Sequence, residues 1–477
     1  MSHRARPVGD WEASASIGGR HDRARERHMN SAIKWLHRRA AGSPTRRRFQ
    51  GGLAVLTVLT LAATAFGGGQ AAAQDEKVEE LTIWFAREYT VPSQERLDAF
   101  TEKTGIKLKV DVQPDDNLFA QLIRMKRAGL KLPDVVHLDG FLRPVVAEAG
   151  VVVPIQDVVD QWEKDDPESF AQTYAANWQE GMWDGKLVGM ANTASMEEIY
   201  FRTDWLKEAG VTGAPKTWDD VLDFARAIKK VQPDSVPFGW WAQRGAGANH
   251  VFASMTAMGV KFDGSIPNLQ SEAGQYWINW VQTLAREGLA SSEAIAWNDD
   301  NMRGGFVGSN IGMMLDSAPT ALDAEEAGLK PGEHFNLVPM PTSRTGSDQD
   351  GVITAPARTF FITADADGRG AKDEAGLALR FLMDPDVALE LMLAGADPHR
   401  TAAVLDDADA LKQWVPAWRP ENVAAFAKMG VFPVDTDFPS AEDVMERLNE
   451  FVVSNPDKDP AAVAAEWQAK FNAVRKP

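Results

Sequence analysis

The stretch Met182–Leu222 reads MWDGKLVGM over Met182–Met190, EEIYFRTDWLKEAG over Glu197–Gly210 and PKTWDDVL over Pro215–Leu222. Asp184-Gly185 between apolar flanks predicts a two-residue hairpin, because both residues tolerate the positive φ that a tight primed turn demands. Ile199-Tyr200-Phe201 predicts a short strand. Thr203 or Asp204 is placed to cap the helix that follows, Gly210 to end it in the left-handed conformation, and Thr217 with Asp220 to form a reciprocal capping pair on the next helix. The order is hairpin, strand, helix, loop, helix, which is the grammar of an α/β protein.

Toward the amino terminus the same alternation continues. Leu81–Phe85 predicts a strand, Ser93–Thr104 a helix with Leu97 and Phe100 on one face, and Gly105 its terminator. Ile106, Leu108, Val110 and Val112 alternate with polar neighbours, the two-residue period of a strand solvated on one side. Leu118, Leu122 and Met125 restore the helical period, and Asp134–Leu138 is the near-continuous apolar run of a parallel strand covered on both faces. In an open α/β sheet, ligands collect beyond the carboxyl ends of strands. That rule selects Arg87, Glu88 and Tyr89 after the first strand, and Asp139 and Phe141 after the third.

Toward the carboxyl terminus, Trp277, Trp280, Val281 and Leu284 fall at i, i+3, i+4 and i+7, a core-facing helical stripe. Ile311–Leu315 predicts a strand ending at Asp316, and Phe335–Val338 another. Thr359–Thr363 predicts a return to the first sheet. In Phe381–Leu393, Asp384-Pro385 interrupts the helical pattern, with Asp384 a cap and Pro385 at the first helical position.

The chain has 477 residues and no cysteine, so disulfides, thiolate metal sites, cysteine nucleophiles and a lipidated cysteine anchor are excluded. Leu53–Phe66 is an apolar run of signal-peptide length, too short to span a bilayer comfortably. Arg46-Arg47-Arg48-Phe49 precedes it as in a twin-arginine signal, although a Sec signal with a basic leader fits the same residues, and Ala71-Ala72-Ala73 offers a cleavage site. Residues 1–73 are therefore expected to be a removable leader, with Met29 a second candidate start, and the mature chain to begin near Gln74. The leader holds 12 basic and 4 acidic residues, leaving 38 basic and 64 acidic residues and a net charge of −26 on the mature chain. Such a surface repels phosphate backbones and anionic lipid heads, so no nucleic-acid partner and no membrane insertion are expected, and small solutes remain the natural ligands. Some 404 mature residues suit two lobes better than one core.

These blocks, in this order, resemble the family 1 extracellular solute-binding proteins, the sugar-receptor subunits of bacterial ABC importers. Tyr200–Asp204 and Pro215–Asp219 fill the places of that family's YYNKD and PKTWD blocks. The likeness extends over Leu81–Trp84, Phe100–Gly105, Pro133–Val136, Phe381–Val387 and Gly395–Arg400. The resemblance implies a maltose-binding-protein-like, two-lobed periplasmic-binding-protein fold of type II, each lobe a mixed sheet flanked by helices around a cleft. It places an N-terminal lobe at residues 74–190 with 342–395 and a C-terminal lobe at 191–341 with 396–477. It implies a monomeric, exported, untethered periplasmic receptor that needs no cofactor or metal and delivers its solute to permease subunits in the inner membrane.

Sixteen tryptophans beside four tyrosines supply large flat apolar surfaces that suit the CH-rich faces of sugar rings. Trp240 and Trp241 follow Pro237-Phe238-Gly239 at a strand end; adjacent residues point opposite ways, so one of the pair is expected to face the cleft. Sugar hydroxyls need rigidly held planar partners, and Glu88, Asp139, Asn192 and Asp316 are placed for this, each with a helix cap or solvated loop carboxylate as the structural alternative. Arg400, in the GADPHR block, is either a hinge-proximal ligand contact or a structural ion pair. Arg358 stands where the family has a glycine-rich strand start, and those glycines are largely missing here. Asp316–Thr320 replaces a tryptophan of oligosaccharide-binding members, which favours a mono- or disaccharide. The alternatives are a sugar phosphate or other polar anion held by Arg87, Arg358 and Arg400, and an exported carbohydrate-active enzyme. For the enzyme no HExxH or GxSxG pattern exists, and Gly245-Ala246-Gly247 and Asp365–Gly368 are incomplete as dinucleotide and calcium loops.

Overall fold

The computed structural model describes residues 78–86, 90–113, 118–173, 175–399 and 402–475; the expected leader and the candidates Arg87, Glu88, Tyr89 and Arg400 lie outside the described residues. Within them, β1 (Glu80–Phe85), α1 (Gln94–Thr104), β2 (Lys107–Val112), α2 (Leu118–Arg127) and β3 (Val135–Asp139) follow the alternation read from the sequence. Ser93 accepts the Arg96 N–H at the start of α1, and Gly105 ends that helix at φ 76°. β1 pairs in parallel with β2 and with β3. Of the alternating set on β2, Leu108 is buried while Val112 is 47% exposed, because β2 is the edge of its sheet.

The hairpin forms where expected, pairing Met182–Trp183 with Lys186–Leu187, with Asp184 at φ 45° and Gly185 at φ 69°. The chain then runs through β4 (Met190–Ala194), crosses, and continues as β5 (Glu198–Arg202). α3 (Trp218–Val231) starts with the reciprocal cap: the Asp220 N–H donates to Thr217 Oγ1 and the Thr217 N–H to Asp220 Oδ2, both at 3.0 Å. The preceding helix, Thr203–Glu208, differs from expectation. It begins at Thr203, its cap position is Arg202, and no side chain caps it. Asp204 instead accepts from the Arg202 guanidinium at 2.9 Å and from the Trp205 N–H at 3.0 Å, because the buried arginine lies over the Trp205 ring and claims that carboxylate.

α4 (Glu272–Arg286), β6 (Met313–Asp316), β7 (Phe335–Pro339), β8 (Ala357–Ile362) and α5 (Phe438–Ser454) complete the frame. The first sheet has the order β2-β1-β3-β8-β4, with β8 antiparallel to both neighbours; the second has the order β6-β5-β7 and is antiparallel. In the first sheet the side chains alternate between two cores. Val135, Phe360 and Ile362 join Leu97 and Phe100 on one face, while Val136, Leu138 and Phe361 join Leu118 and Leu122 on the other. This two-faced burial is why β3 reads as an unbroken apolar run. Around the second sheet, Trp277 and Trp280 are core as expected. Trp280 meets the Trp218 ring edge-on at 5.2 Å and donates its indole N–H to the Trp218 carbonyl. α5 and the helix Pro460–Asn472 pack against α4 and close this lobe.

Candidate functional site

β3 ends at Asp139, and the chain turns at once through Gly140-Phe141-Leu142. A Cβ on Gly140 would sit 2.6 Å from Thr359 Oγ1, so only glycine lets the turn pass this close to β8. The turn sets Asp139 and Phe141 beside a cavity of about 240 Å³, whose other wall is the amino-terminal end of α5. Phe119, Asp139 and Phe141 from the first lobe face Phe438 and Glu442 from the second across it. Phe141 and Phe438 are in ring contact at 4.8 Å. This volume falls below the roughly 300–1,000 Å³ of pockets that hold drug-sized ligands, so it suits a small solute.

Polar groups are dense here. Arg358 and Asp139 face each other across the β8–β3 ladder and form an ion pair at 3.1 Å. Glu442 accepts the Ala248 N–H, but burial and the like charges of Glu446 and Asp139 push its carboxyl up to about 7. Where the chain passes between the sheets, Asp397 accepts from Ser195 Oγ at 2.6 Å and from Ser317, yet burial still raises its pKa. Glu197 is pushed well above the usual carboxylate range by burial and by Asp316 and Asp299. Glu198 is raised to about 8 by burial, against the opposing hydrogen bonds from Asn422 and Trp418. The crossing is thus a knot of desolvated acids joining the ends of β4, β5 and β6 to the Ala396–His399 segment, which bridges back to Thr193.

The sequence candidates separate. Asp139 and Phe141 line the cavity, and Arg358 stands directly behind Asp139. Asn192 is 1% exposed and receives the buried His137 ring, with Nε2 to Oδ1 at 3.0 Å. Asp316 is spent internally: Arg303 Nε at 3.0 Å, Thr320 Oγ1 at 2.7 Å and the Ser317 N–H at 2.8 Å all donate to it. The expectation that one of Trp240 and Trp241 faces the cleft is corrected, since they are 1% and 6% exposed. Both sides of their segment are covered. Trp240 donates its indole N–H to Asn449 at 2.8 Å and meets Trp280, while Trp241 lies 3.8 Å from the His250 ring and its carbonyl accepts from His250 and Asn449. Adjacent side chains can both be core when helices pack on both sides of a strand end. Sequence reasoning missed Phe119, Phe438 and Glu442. The last two lie one helical turn apart, so their shared face was legible, but nothing local says that this face meets the other lobe.

Two α/β lobes meeting over a small cavity lined by rings and carboxylates define a two-lobed binding protein. The comparisons agree. A sugar-binding protein MalE from Xanthomonas citri superposes with a TM-score of 0.68 at 18% identity, covering 83% of this chain and 97% of that one. The cyclic alpha-maltosyl-1,6-maltose binding protein from Arthrobacter globiformis does so with a TM-score of 0.66 at 16% identity, covering 83% and 99%. A Sinorhizobium fredii protein named as a probable amino-acid ABC transporter periplasmic-binding protein is 26% identical over 392 residues, 77% of this chain and 84% of the relative. Residues 88–388 match the family described as bacterial extracellular solute-binding protein, and the chain belongs to that family.

Proposed function

We propose that the protein is the periplasmic receptor of an ABC importer, capturing a mono- or disaccharide between its lobes and presenting the closed form to a membrane permease. The observation that carries this reading is the cavity bounded by Phe119, Phe141 and Asp139 on one side and Phe438 and Glu442 on the other. Rings offer apolar faces to CH groups of a pyranose, and carboxylates accept from its hydroxyls. With lobes divided near residues 191, 341 and 396, a ligand touching both walls stabilises the closed arrangement and shifts the population toward it. Hinge closure of periplasmic binding proteins is an established example of such motion. Among the described residues no helix is long and apolar enough to cross a membrane. Of the arginines that the anion reading invokes, Arg358 is paired with Asp139, while Arg87 and Arg400 lie outside the described residues.

A thermal-shift screen of the mature protein against mono-, di- and trisaccharides, polyols and sugar phosphates tests the proposal, since a ligand bound only by the folded state raises the melting temperature. A mono- or disaccharide that binds with one-to-one stoichiometry and is recovered unchanged is the expected result. Turnover of a glycoside would replace the receptor by an enzyme, and no response to any carbohydrate would remove the sugar.

A further inference from the structure

We infer that the end of the first lobe remote from the cavity is a docking surface for an anionic phospholipid layer, built by Lys109, Arg124, Lys126, Arg127 and Lys131 around Leu130. The ten-residue helix α2 starts at the cavity, where Phe119 is part of the wall, and carries the chain about 15 Å away to Arg127. Gly129 then turns the chain at φ 65°, with the Leu130 N–H returning to the Met125 carbonyl at 3.0 Å. Lys131 leads into the start of β3, whose other end brings Asp139 to the cavity. Leu130 is left 59% exposed, more than any other large apolar side chain of the described residues. Lys109 joins from the edge strand: Leu108 enters the core of Leu97, so Lys109 projects from the opposite face of the sheet, the one that α2 covers. Four of the five cations are exposed, Lys126 is half-buried, and none forms an ion pair or side-chain hydrogen bond with a described residue. The carboxylates of the neighbouring strand ends are engaged elsewhere: Glu80 with Lys107 at 3.6 Å, Asp134 with Arg369 at 2.9 Å, and Asp365 with the Leu132 N–H at 2.8 Å.

Cations in the last turn of a helix complement its dipole, which accounts for Arg124, Lys126 and Arg127. It does not account for Lys109 on the strand, for Lys131 beyond the turn, or for the protruding Leu130. The mature chain as a whole, at −26, is repelled by an anionic layer, but salt screens charges beyond about 8 Å at physiological ionic strength, so the local cluster decides the contact. Each lysine or arginine brought to anionic lipid strengthens binding roughly fivefold, and an apolar tip among them is buried at the boundary between headgroups and acyl chains. A stable protein partner needs about 800 Å² of complementary surface on each side. One helix end and one turn do not present that, whereas a lipid layer conforms to them. Docking here leaves the cavity, at the other end of β3, open, so it is independent of the identity of the solute.

Co-sedimentation of the mature protein with vesicles should compare mixed phosphatidylglycerol and phosphatidylcholine with phosphatidylcholine alone. The expected result is binding to the anionic vesicles only, weakened steeply by salt. Arg124→Gln combined with Arg127→Gln should weaken it roughly 25-fold, two cations at about fivefold each. Arg124→Lys with Arg127→Lys should retain it, and Leu130→Ser should weaken it severalfold. These side chains are exposed, so circular dichroism and melting curves of the variants should match the parent; if the glutamine variant fails to fold, Leu130→Ser and the lipid and salt dependence of the parent decide. No binding, equal binding to both kinds of vesicle, or a folded glutamine variant that binds as tightly as the parent overturns the inference. Sedimentation velocity without vesicles covers the rival occupant: self-association that the glutamine variant abolishes, without vesicle binding, assigns this corner to a second copy of the chain and overturns the lipid. Each of these outcomes leaves the sugar-receptor reading intact.

Discussion

Glu180→Ala should destabilise the protein by about 3 to 5 kcal/mol, the usual cost of leaving one member of a buried ion pair uncompensated. Arg143 and Glu180 are 5% and 1% exposed and lie 3.3 Å apart. Burial pulls the guanidinium below its ordinary value, with Glu180 opposing the shift. The pair also grips the chain leading into α5, for Glu180 accepts the Phe432 N–H at 2.9 Å and Arg143 donates to the Phe432 carbonyl at 3.5 Å. Arg143 reaches the Gly140 and Met182 carbonyls as well, so the guanidinium keeps some partners when the carboxylate goes. With an unfolding entropy of roughly 2 cal/mol/K per residue over about 400 residues, that loss corresponds to a melting temperature lower by about 4 to 6 °C. Arg143→Met combined with Glu180→Ala should recover most of it, since no isolated charge remains. Melting curves of both single variants and the double variant check this. A single-variant loss below about 1 kcal/mol, or a double variant as unstable as the two losses summed, refutes the reasoning.

Phe141→Ala should weaken ligand binding by about 1 to 2 kcal/mol with little change in melting temperature, because this half-buried ring lines the cavity. Trp241→Ala should instead lower stability by about 3 to 5 kcal/mol, because its ring is packed on His250; parallel thermal melts and titrations separate the two. Glu198 gives a pH signature. Its folded pKa of about 8 exceeds its unfolded value, so the folded state holds a proton that the unfolded chain releases above about 4.5, and stability falls as pH rises through 4.5 to 8 by up to about 1.4 kcal/mol per unit. Glu198→Gln should flatten that slope in urea titrations between pH 5 and 8 while still accepting from Trp418 and Asn422. The buried rings of His137, His250 and His399 act oppositely. Burial lowers each to about 3, so their contribution is complete above about 6.5 and is lost as pH falls toward 3. Replacing His250 by Asn should reduce the acid-induced loss of stability between pH 6 and pH 4, measured against the parent's own change.

The amino-acid order by itself determined what depends on neighbours along the chain. Asp184-Gly185 closes its hairpin, Thr217 and Asp220 cap α3, Asp384-Pro385 starts a helix, and the apolar run of β3 declares a parallel strand covered on both faces, because turn, cap and periodicity energies act within a few residues. The block order carried the family and the two-lobed architecture for the same reason, each block being a local element in sequence. Which polar or aromatic side chain is left for a ligand was decided only by tertiary structure. Trp240 is claimed by Asn449, 209 residues away, Asn192 by His137, 55 residues away, and Asp316 by Arg303 and Thr320. Glu442 becomes a cavity wall because α5 folds back against a strand end some 300 residues earlier. Burial and charge compensation depend on distance in space, and chain-distant partners leave no mark on the residues beside them.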